Sequence, residues 1–317
     1  MPSRSNSTLI PLPEVDVVGV GLNAMDYISV MSEFPRPNSK LELRRVRLEP
    51  GGQVATALTT CRRLGLSARY IGSVGSDDLG RLQIESLRSE GLDVDFLRVV
   101  EGATSQIAFI LVEEGAGERT ILWHRDARLR FPAADLARES ISTARLLHLD
   151  GRDSEAALVA ARWANETGIP VVIDIDQIYD PSTEELLRRV DYLIAAEDFA
   201  GRVTSRTDPE GVVRALGERY GARVTGVTLG ERGAVFLEEG RLAESAAFDV
   251  PVVDTTGAGD VFHGAFIFGV LEGWALEEAV RFAHGVAAMK CMKWGARAGI
   301  PGLEEVRGFL DGAKERR

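Results

Sequence analysis

The sequence predicts an α/β fold: a mainly parallel central sheet with a small β-sheet projecting from it. Three observations carry this expectation. Apolar runs such as Arg145–Asp150, Pro170–Asp176, Tyr192–Ala195 and Val224–Leu229 alternate with helical stretches such as Ser154–Thr167 and Gly211–Tyr220. Strands alternating with helices of about 10–15 residues build a parallel sheet covered on both faces. Lys40–Glu49 interleaves Leu41, Leu43, Val46 and Leu48 with charged residues, a period-two pattern that a buried central strand would not tolerate. Finally, Val253-Asp-Thr-Thr-Gly-Ala-Gly-Asp-Val261 runs through glycines into a long apolar-faced segment, as a loop entering a helix does.

Composition bounds the function. The 317 residues can bury a sizeable core as one large domain with or without a smaller attachment. A formal net charge of -11 argues against a nucleic-acid surface. The two cysteines, Cys61 and Cys291, are far apart and give neither a disulfide framework nor metal-ligand spacing, which fits a reducing, cytoplasmic setting. No apolar run is long enough to cross a membrane, and Met1–Pro13 reads as a loose tail without an apolar signal core.

Taken in order, Val15–Gly21 reads as a buried strand entering a turn. A dinucleotide fingerprint fails there, because Leu22-Asn-Ala-Met-Asp26 follows where another glycine is needed. Asp26 sits just past the strand end, where open α/β sheets bind ligands; it reads either as an acceptor for hydroxyl groups or as a turn carboxylate. Ile28–Pro37 reads as mixed apolar and turn residues. Gly51-Gly52 precedes a helix, Val54–Leu64, stopped by Gly65. Ala68–Val74 reads as a strand, followed by a helix to Glu90 capped by Asp77 or Asp78. Ser105–Val112 and Thr120–Trp123 flank the turn Gly115–Arg119 and predict a hairpin, which either pairs with Lys40–Glu49 or extends the main sheet. Thr228–Gly233 reads either as a phosphate- or ribose-binding loop or as a hairpin turn into Ala234–Leu237. Leu276–Lys290 is a helix whose Gly285, Ala287 and Ala288 leave room for a flat ring or for close helix packing. His124 and His148 read as packing residues.

The glycine loop carries the chemistry. A helix starting near Ala258 or Gly259 leaves N–H groups unpaired, and these, with the positive helix end, attract an anion. Asp260 lies in that first turn. A carboxylate there can take a proton from an alcohol while the N–H groups hold developing phosphoryl charge. The alternative is a first-turn aspartate that only complements the helix dipole.

Asp254-Thr-Thr-Gly-Ala-Gly-Asp260 with Val-Phe-His-Gly-Ala265 resembles the C-terminal signature of the ribokinase-like (PfkB-type) carbohydrate kinases. Gly51-Gly52 with its helix is similar to their N-terminal signature. Gly21-Leu-Asn-Ala-Met-Asp26, Val74-Gly-Ser-Asp-Asp-Leu-Gly80 and Thr228-Leu-Gly fall in the family's order, so the likeness spans Val15–Val306. The resemblance implies a ribokinase-like three-layer sandwich with a small β-sheet lid. The implied organisation is a tail over 1–14; a core over 15–26, 51–103 and 127–311; a lid over 27–50 and 104–126; and a frayed end over 312–317. It implies Asp260 as the base, with Gly257, Ala258 and Gly259 as the anion hole. Asp26, Gly51 and Gly52 would hold sugar hydroxyls; Thr228, Gly230, Gly233, His284, Ala287 and Ala288 would line the nucleotide side. The reaction implied is in-line transfer from Mg²⁺-ATP, with a monovalent cation such as K⁺ near the anion-hole loop in many members. A homodimer through the lid is also expected, because a one-layer sheet needs cover.

Two departures from the family pattern stand out. Thr56 replaces the usual Asn of the first signature, so Gln53 and Thr56 would read a different set of substrate oxygens. Ile194-Ala-Ala-Glu197 replaces Asn-x-x-Glu, leaving Glu197 to serve the metal through water. Locally, Leu147-His-Leu-Asp-Gly-Arg152 is similar to ketohexokinase. Arg281–Cys291 and Gly295-Ala-Arg-Ala-Gly-Ile-Pro301 are similar to bacterial sulfofructose kinase. Lys40 and Arg152 fall at charged positions of that enzyme's sulfonate pocket, and Trp123 replaces its Asn. A neutral ketose is favoured over a sulfonated or phosphorylated sugar. A nucleoside kinase, a dehydrogenase and a non-catalytic sugar-binding module are the competing readings.

Overall fold

A computed structural model describes residues 13–114, 119–313 and 315–316. The first half runs β1 (Val15–Val20), β2 (Ala24–Met31), β3 (Arg45–Gly51), α1 (Gln53–Arg63), β4 (Ala68–Gly75), α2 (Asp78–Ser89), β5 (Leu97–Val100), β6 (Ile107–Glu113), β7 (Arg119–His124), α3 (Arg138–Ser142) and β8 (Ala144–Leu149). The second half runs α4 (Ser154–Thr167), β9 (Val171–Ile175), α5 (Pro181–Leu187), β10 (Tyr192–Ala196), α6 (Glu197–Thr204), α7 (Pro209–Tyr220), β11 (Val224–Thr228), β12 (Ala234–Glu238), β13 (Arg241–Ser245), α8 (Ala258–Leu271), α9 (Leu276–Cys291) and α10 (Leu303–Gly312).

The larger sheet has nine strands in the order β13-β12-β11-β10-β9-β8-β1-β4-β5. From β11 to β5 every pairing is parallel; β12 and β13 add an antiparallel hairpin at one edge. Strands covered on both faces should be apolar throughout, and β4 and β9 are buried along their whole length. One face packs Val54 and Leu58 of α1 with Phe262 and Phe266 of α8 and Val280 of α9. The other packs Ala157 and Ala161 of α4 with Val213 and Leu216 of α7. This is the expected three-layer α/β sandwich. Phe236, Phe262 and Phe266 stack with centroids 6.4–6.5 Å apart. Burying each ring is worth about 1.5–3 kcal/mol. Helix α8 is therefore anchored by its apolar body, and its polar first turn is left to other work.

The smaller sheet has the order β3-β2-β6-β7, with β2 and β6 parallel and the two outer pairings antiparallel. The hairpin therefore builds a second sheet and does not extend the first. Two sequence expectations change here. Residues 24–31 form a strand, although Ile28–Pro37 was expected to lack one. Its two faces are both largely covered, so it shows no alternation to read. The charged strand begins at Arg45, leaving Lys40 in the preceding loop. Consequently Asp26 and Gly51, expected in the core segments, lie on the small sheet.

Most of the expected N-terminal tail lies outside the described residues. At the other end the expected fraying does not hold where the chain is described: the Arg316 N–H donates to Ala247 O at 2.7 Å and Arg281 pairs with Glu315.

Candidate active site

Parallel strands bring their C-terminal ends to one edge. Asp150 follows β8, Asp174 lies within β9, Glu197 opens α6 after β10, and Thr228 ends β11. The first turn of α8 meets this edge. Asp254 shapes the approach: its carboxylate accepts the Thr256 N–H at 2.8 Å and the Gly295 N–H at 2.9 Å. Gly257 then caps the helix at φ 74°, the left-handed region that glycine enters without steric cost. A Cβ there would also stand 2.8 Å from that of Ala296. Ala258 N–H donates back to Thr255 O and Val261 N–H to Gly257 O. Among the described residues the N–H groups of Gly259 and Asp260 have no acceptor, which is the donor set an anion needs.

Asp260 is half-buried, walled by protein but with part of its surface open. Burial and the neighbouring carboxylates of Asp174 and Asp26 hold its pKa well above the usual range, against the pull of His263 and Arg297. The helix end favours the ionised form by only about 0.3–1 kcal/mol at an exposed site, so desolvation wins. Asp174 hydrogen-bonds Asp260, and burial followed by the Asp176 charge raises its pKa as well. Two carboxyls this close share a proton more readily than both ionise. His263 braces the pair from α8. Its Nδ1 lies 2.8 Å from Gly259 O and 3.5 Å from Asp174, and its Nε2 lies 3.3 Å from Ile194 O.

Across from this pair stands Asp26, buried on β2. Burial pushes it up to about 7, with Arg297 opposing and Asp254 assisting the rise. Gly51 of β3 lies against it so closely that a Cβ would be 2.0 Å from Asp26 Oδ2. Gly52, at φ 90°, caps α1 beside Asn23. The buried Arg297 guanidinium ties these pieces together. It donates to Asn23 Oδ1 at 2.9 Å, to Thr56 Oγ1 at 3.3 Å, to Ser86 Oγ at 3.2 Å and to Gly51 O. Thr56 is fully buried and engaged by Arg297; Gln53, at the start of α1, is half-buried.

Register extends the site along the small sheet. Asp26 pairs with Ala108 and Ala108 with Trp123, so the three share one face. At about 4.8 Å per strand, Trp123 stands about 10 Å from Asp26. The Arg152 guanidinium lies between Trp123 and Tyr179, at 4.7 and 4.8 Å from their ring centroids. The sheet is pinned to the core by a bidentate pair, Arg125 to Asp153 at 2.9 and 2.7 Å. A second tie runs from Arg119 at its far end to Thr255 of the α8 loop. Lys40 is exposed in its loop, away from these contacts.

On the other side of α8, Thr228 donates to Ala195 O at 3.5 Å. Gly230 and Gly233, both at positive φ, enclose a short 3₁₀ turn into β12. His284 is buried with its ring 5.0 Å from Phe262, and burial lowers it to about 4. Ala287 and Ala288 are half-buried beside it in α9. A cavity of about 770 Å³ borders the turn, lined by Leu229, Glu231 and Arg232 among others; it does not contain Asp260. Glu197 is half-exposed and takes a hydrogen bond from Arg232. Among the described residues no three acidic, His or Cys side chains converge as a metal cage.

Asp174 and Arg297 were not singled out from sequence as site residues. Asp174 carried a usable signal, a carboxylate at the C-terminal end of a predicted parallel strand. Arg297 carried none, since its partners lie more than two hundred residues away for Thr56, Asn23 and Gly51.

An open helix start, a pair of raised carboxyls beside it and a second sheet over the same edge come together at the C-terminal ends of the parallel strands. The sequence matches the pfkB family carbohydrate kinases over residues 15–302. The chain belongs to that family and is a phosphotransferase, carrying out ATP-dependent phosphoryl transfer to a sugar. It is 28% identical to a ribokinase of Haemophilus influenzae over 91% of this chain and 96% of that one. It is equally 28% identical to an ATP-dependent ribose-1-phosphate kinase of Halopiger xanaduensis, over 93% and 98%. The solved ribokinase of Thermotoga maritima superposes with a TM-score of 0.80 at 26% identity, covering 94% of this chain and all of that one. Relatives with different acceptors stand at the same distance, so no ketohexokinase-like or sulfofructose-kinase-like subgroup is distinguished. No helix among the described residues is long and apolar enough to cross a membrane.

Proposed function

We propose that this chain transfers the γ-phosphoryl group of ATP to a hydroxyl of a small sugar, a ketose, with Asp260 as the general base. The observation that carries this reading is the Asp174–Asp260 pair at the unpaired N–H groups of α8. A base with a raised pKa takes a proton more readily, provided it is ionised when the acceptor arrives. The N–H groups of Gly257 and Gly259, joined by that of Asp260, hold the phosphoryl oxygens as charge develops on them; the Ala258 N–H, expected in this set, is instead donated to Thr255 O. Asp26, with the backbone of Gly51 and Gly52, orients the sugar hydroxyls; Asn23 is held for that work by Arg297. The small sheet, as a lid, excludes water from the transfer.

The donor side falls to Thr228, Gly230, Gly233, His284, Ala287 and Ala288, where a half-buried small-residue stripe leaves space for a flat ring. Mg²⁺ would neutralise and orient the donor's phosphates. The absence of a converging acidic cluster among the described residues suits a metal that arrives on those phosphates, with Glu197 reaching it through water. The outer face of the small sheet aligns Leu48, Tyr27, Phe109 and Leu122 across its four strands, and Phe109 and Leu122 are 43% and 54% exposed. This apolar row supports a symmetric homodimer; sedimentation as a monomer at all concentrations would remove it. The buried free thiols Cys61 and Cys291 support a cytoplasmic location.

A second reading has one observation in its favour. Arg152, clamped between two rings and paired with no carboxylate among the described residues, suits an acceptor bearing a sulfonate or phosphate at the end remote from Asp260. Sugar-dependent ADP release across ketoses, aldoses, nucleosides, sulfonated sugars and sugar phosphates separates the two. Asp260→Asn abolishes that release under either; full retention of turnover removes the base assignment.

A further inference from the structure

Lys290, on the last turn of α9, is fully buried, an unusual place for an ammonium. Its Nζ donates to the backbone carbonyl of Asp254 at 2.8 Å, and no carboxylate pairs with it among the described residues. The Asp254 carboxylate is already taken by the N–H groups of Thr256 and Gly295. The same helix end also receives the Val253 and Asp254 N–H groups on Cys291 O, at 2.8 and 3.1 Å. The loop that opens α8 is therefore docked on α9, with a positive charge fixed beneath it. Burial lowers the Lys290 pKa, while the Asp254 and Asp260 charges favour its ionised form.

Building on the phosphotransfer reading, we infer that the Lys290 ammonium is a tethered cation that holds the Asp254 carbonyl and positions the anion-hole loop, in place of a free monovalent ion. The structure thus disagrees with the K⁺ site that the family resemblance implies. A carbonyl oxygen that already accepts an ammonium hydrogen bond has little to offer a second cation, and placing K⁺ beside that ammonium sets like charges together in a medium of low dielectric. Lys290 touches neither sugar nor phosphoryl group; it acts through the loop.

The test uses the full-length enzyme at constant ionic strength. Wild-type kcat is expected to be the same in tetramethylammonium, Na⁺ and K⁺ salts. Lys290→Ala opens space for an ion. In tetramethylammonium its kcat should fall by about tenfold or more, the scale of losing one positioned stabiliser, while KM for sugar holds. K⁺ or NH₄⁺ should then restore at least part of the loss. Lys290→Met, which fills the space, should fall similarly and gain nothing from either ion. Independently of turnover, K⁺ should raise the melting temperature of Lys290→Ala but not of wild type, and should leave the wild-type ADP dissociation constant unchanged by calorimetry. Activation of wild type by K⁺, K⁺-dependent tightening of wild-type ADP binding, or a folded Lys290→Ala that is fully active without added cation overturns the inference. So does a folded, impaired Lys290→Ala that no cation rescues. If the variants do not fold, the wild-type cation series decides alone. If wild type phosphorylates no sugar, the functional reading fails, and the calorimetry still tests the tethered cation.

Discussion

Asp174, near the end of β9, hydrogen-bonds Asp260 in the first turn of α8, and burial raises both carboxyls above their ordinary range. The proposed base is thus half of a proton-sharing pair, set by two segments that meet only in the folded chain. The acid limb of kcat/KM should therefore lie above the usual carboxylate range, with activity rising as pH rises through the pair's titration. Asp174→Asn removes a charge that raises Asp260, so the limb should move to lower pH, by about 1 unit. A pH–rate profile of the variant that overlays wild type would show that Asp174 does not set the base.

Asp260→Asn keeps the shape of the site and removes the proposed base. Loss of a general base costs about 10²–10⁴ in rate. The expectation is a kcat drop of that order with sugar binding, measured by calorimetry, changed little.

Gly51→Ala tests the corner proposed to hold the sugar hydroxyls. Its Cβ would stand 2.0 Å from Asp26 Oδ2, so the carboxylate must turn aside. KM for sugar should rise at least about tenfold while KM for ATP stays within twofold of wild type, roughly the noise of such a comparison. Equal effects on both substrates would point to general misfolding of the corner.

Asp26 also sets a pH dependence of stability. Its native pKa, about 7, lies above that of the unfolded chain. The native state then holds a proton that the unfolded state releases, so stability falls as pH rises through this window. The melting temperature of the unliganded enzyme should be lower at about pH 8 than at about pH 5.5. Asp26→Asn should flatten that slope by about 2 °C or more.

Arg152→Gln separates the two acceptor readings. With a neutral ketose its effect should be small, because the guanidinium is stacked against Trp123 and Tyr179 and not bound to the sugar. With an anionic acceptor, loss of a charge-assisted bond of about 1.5–3 kcal/mol should raise KM by roughly ten- to a hundredfold.

The segments legible in sequence were those whose signal is local. The Gly257–Asp260 turn spells out its left-handed cap, its open N–H groups and its carboxylate in consecutive residues. The parallel sheet was readable because its strands are apolar along their whole length and alternate with amphipathic helices. β2 was not, since a strand covered on both faces loses the alternation that marks one. Lys40 was read as part of the charged strand and lies in the exposed loop before it, because that strand begins only at Arg45.

By itself, then, the sequence determined the class of fold and the glycine turn that opens α8 with Asp260 in its first turn. These depend on backbone conformation and on hydrophobic period, which neighbouring residues dictate. The tertiary structure alone decided what faces that turn. Pairing Asp174 with Asp260, pressing Gly51 against Asp26, engaging Thr56 with Arg297 and lodging Lys290 under Asp254 all require segments far apart in the chain to pack together. Burial then shifts the protonation of the carboxyls, and no local pattern encodes desolvation.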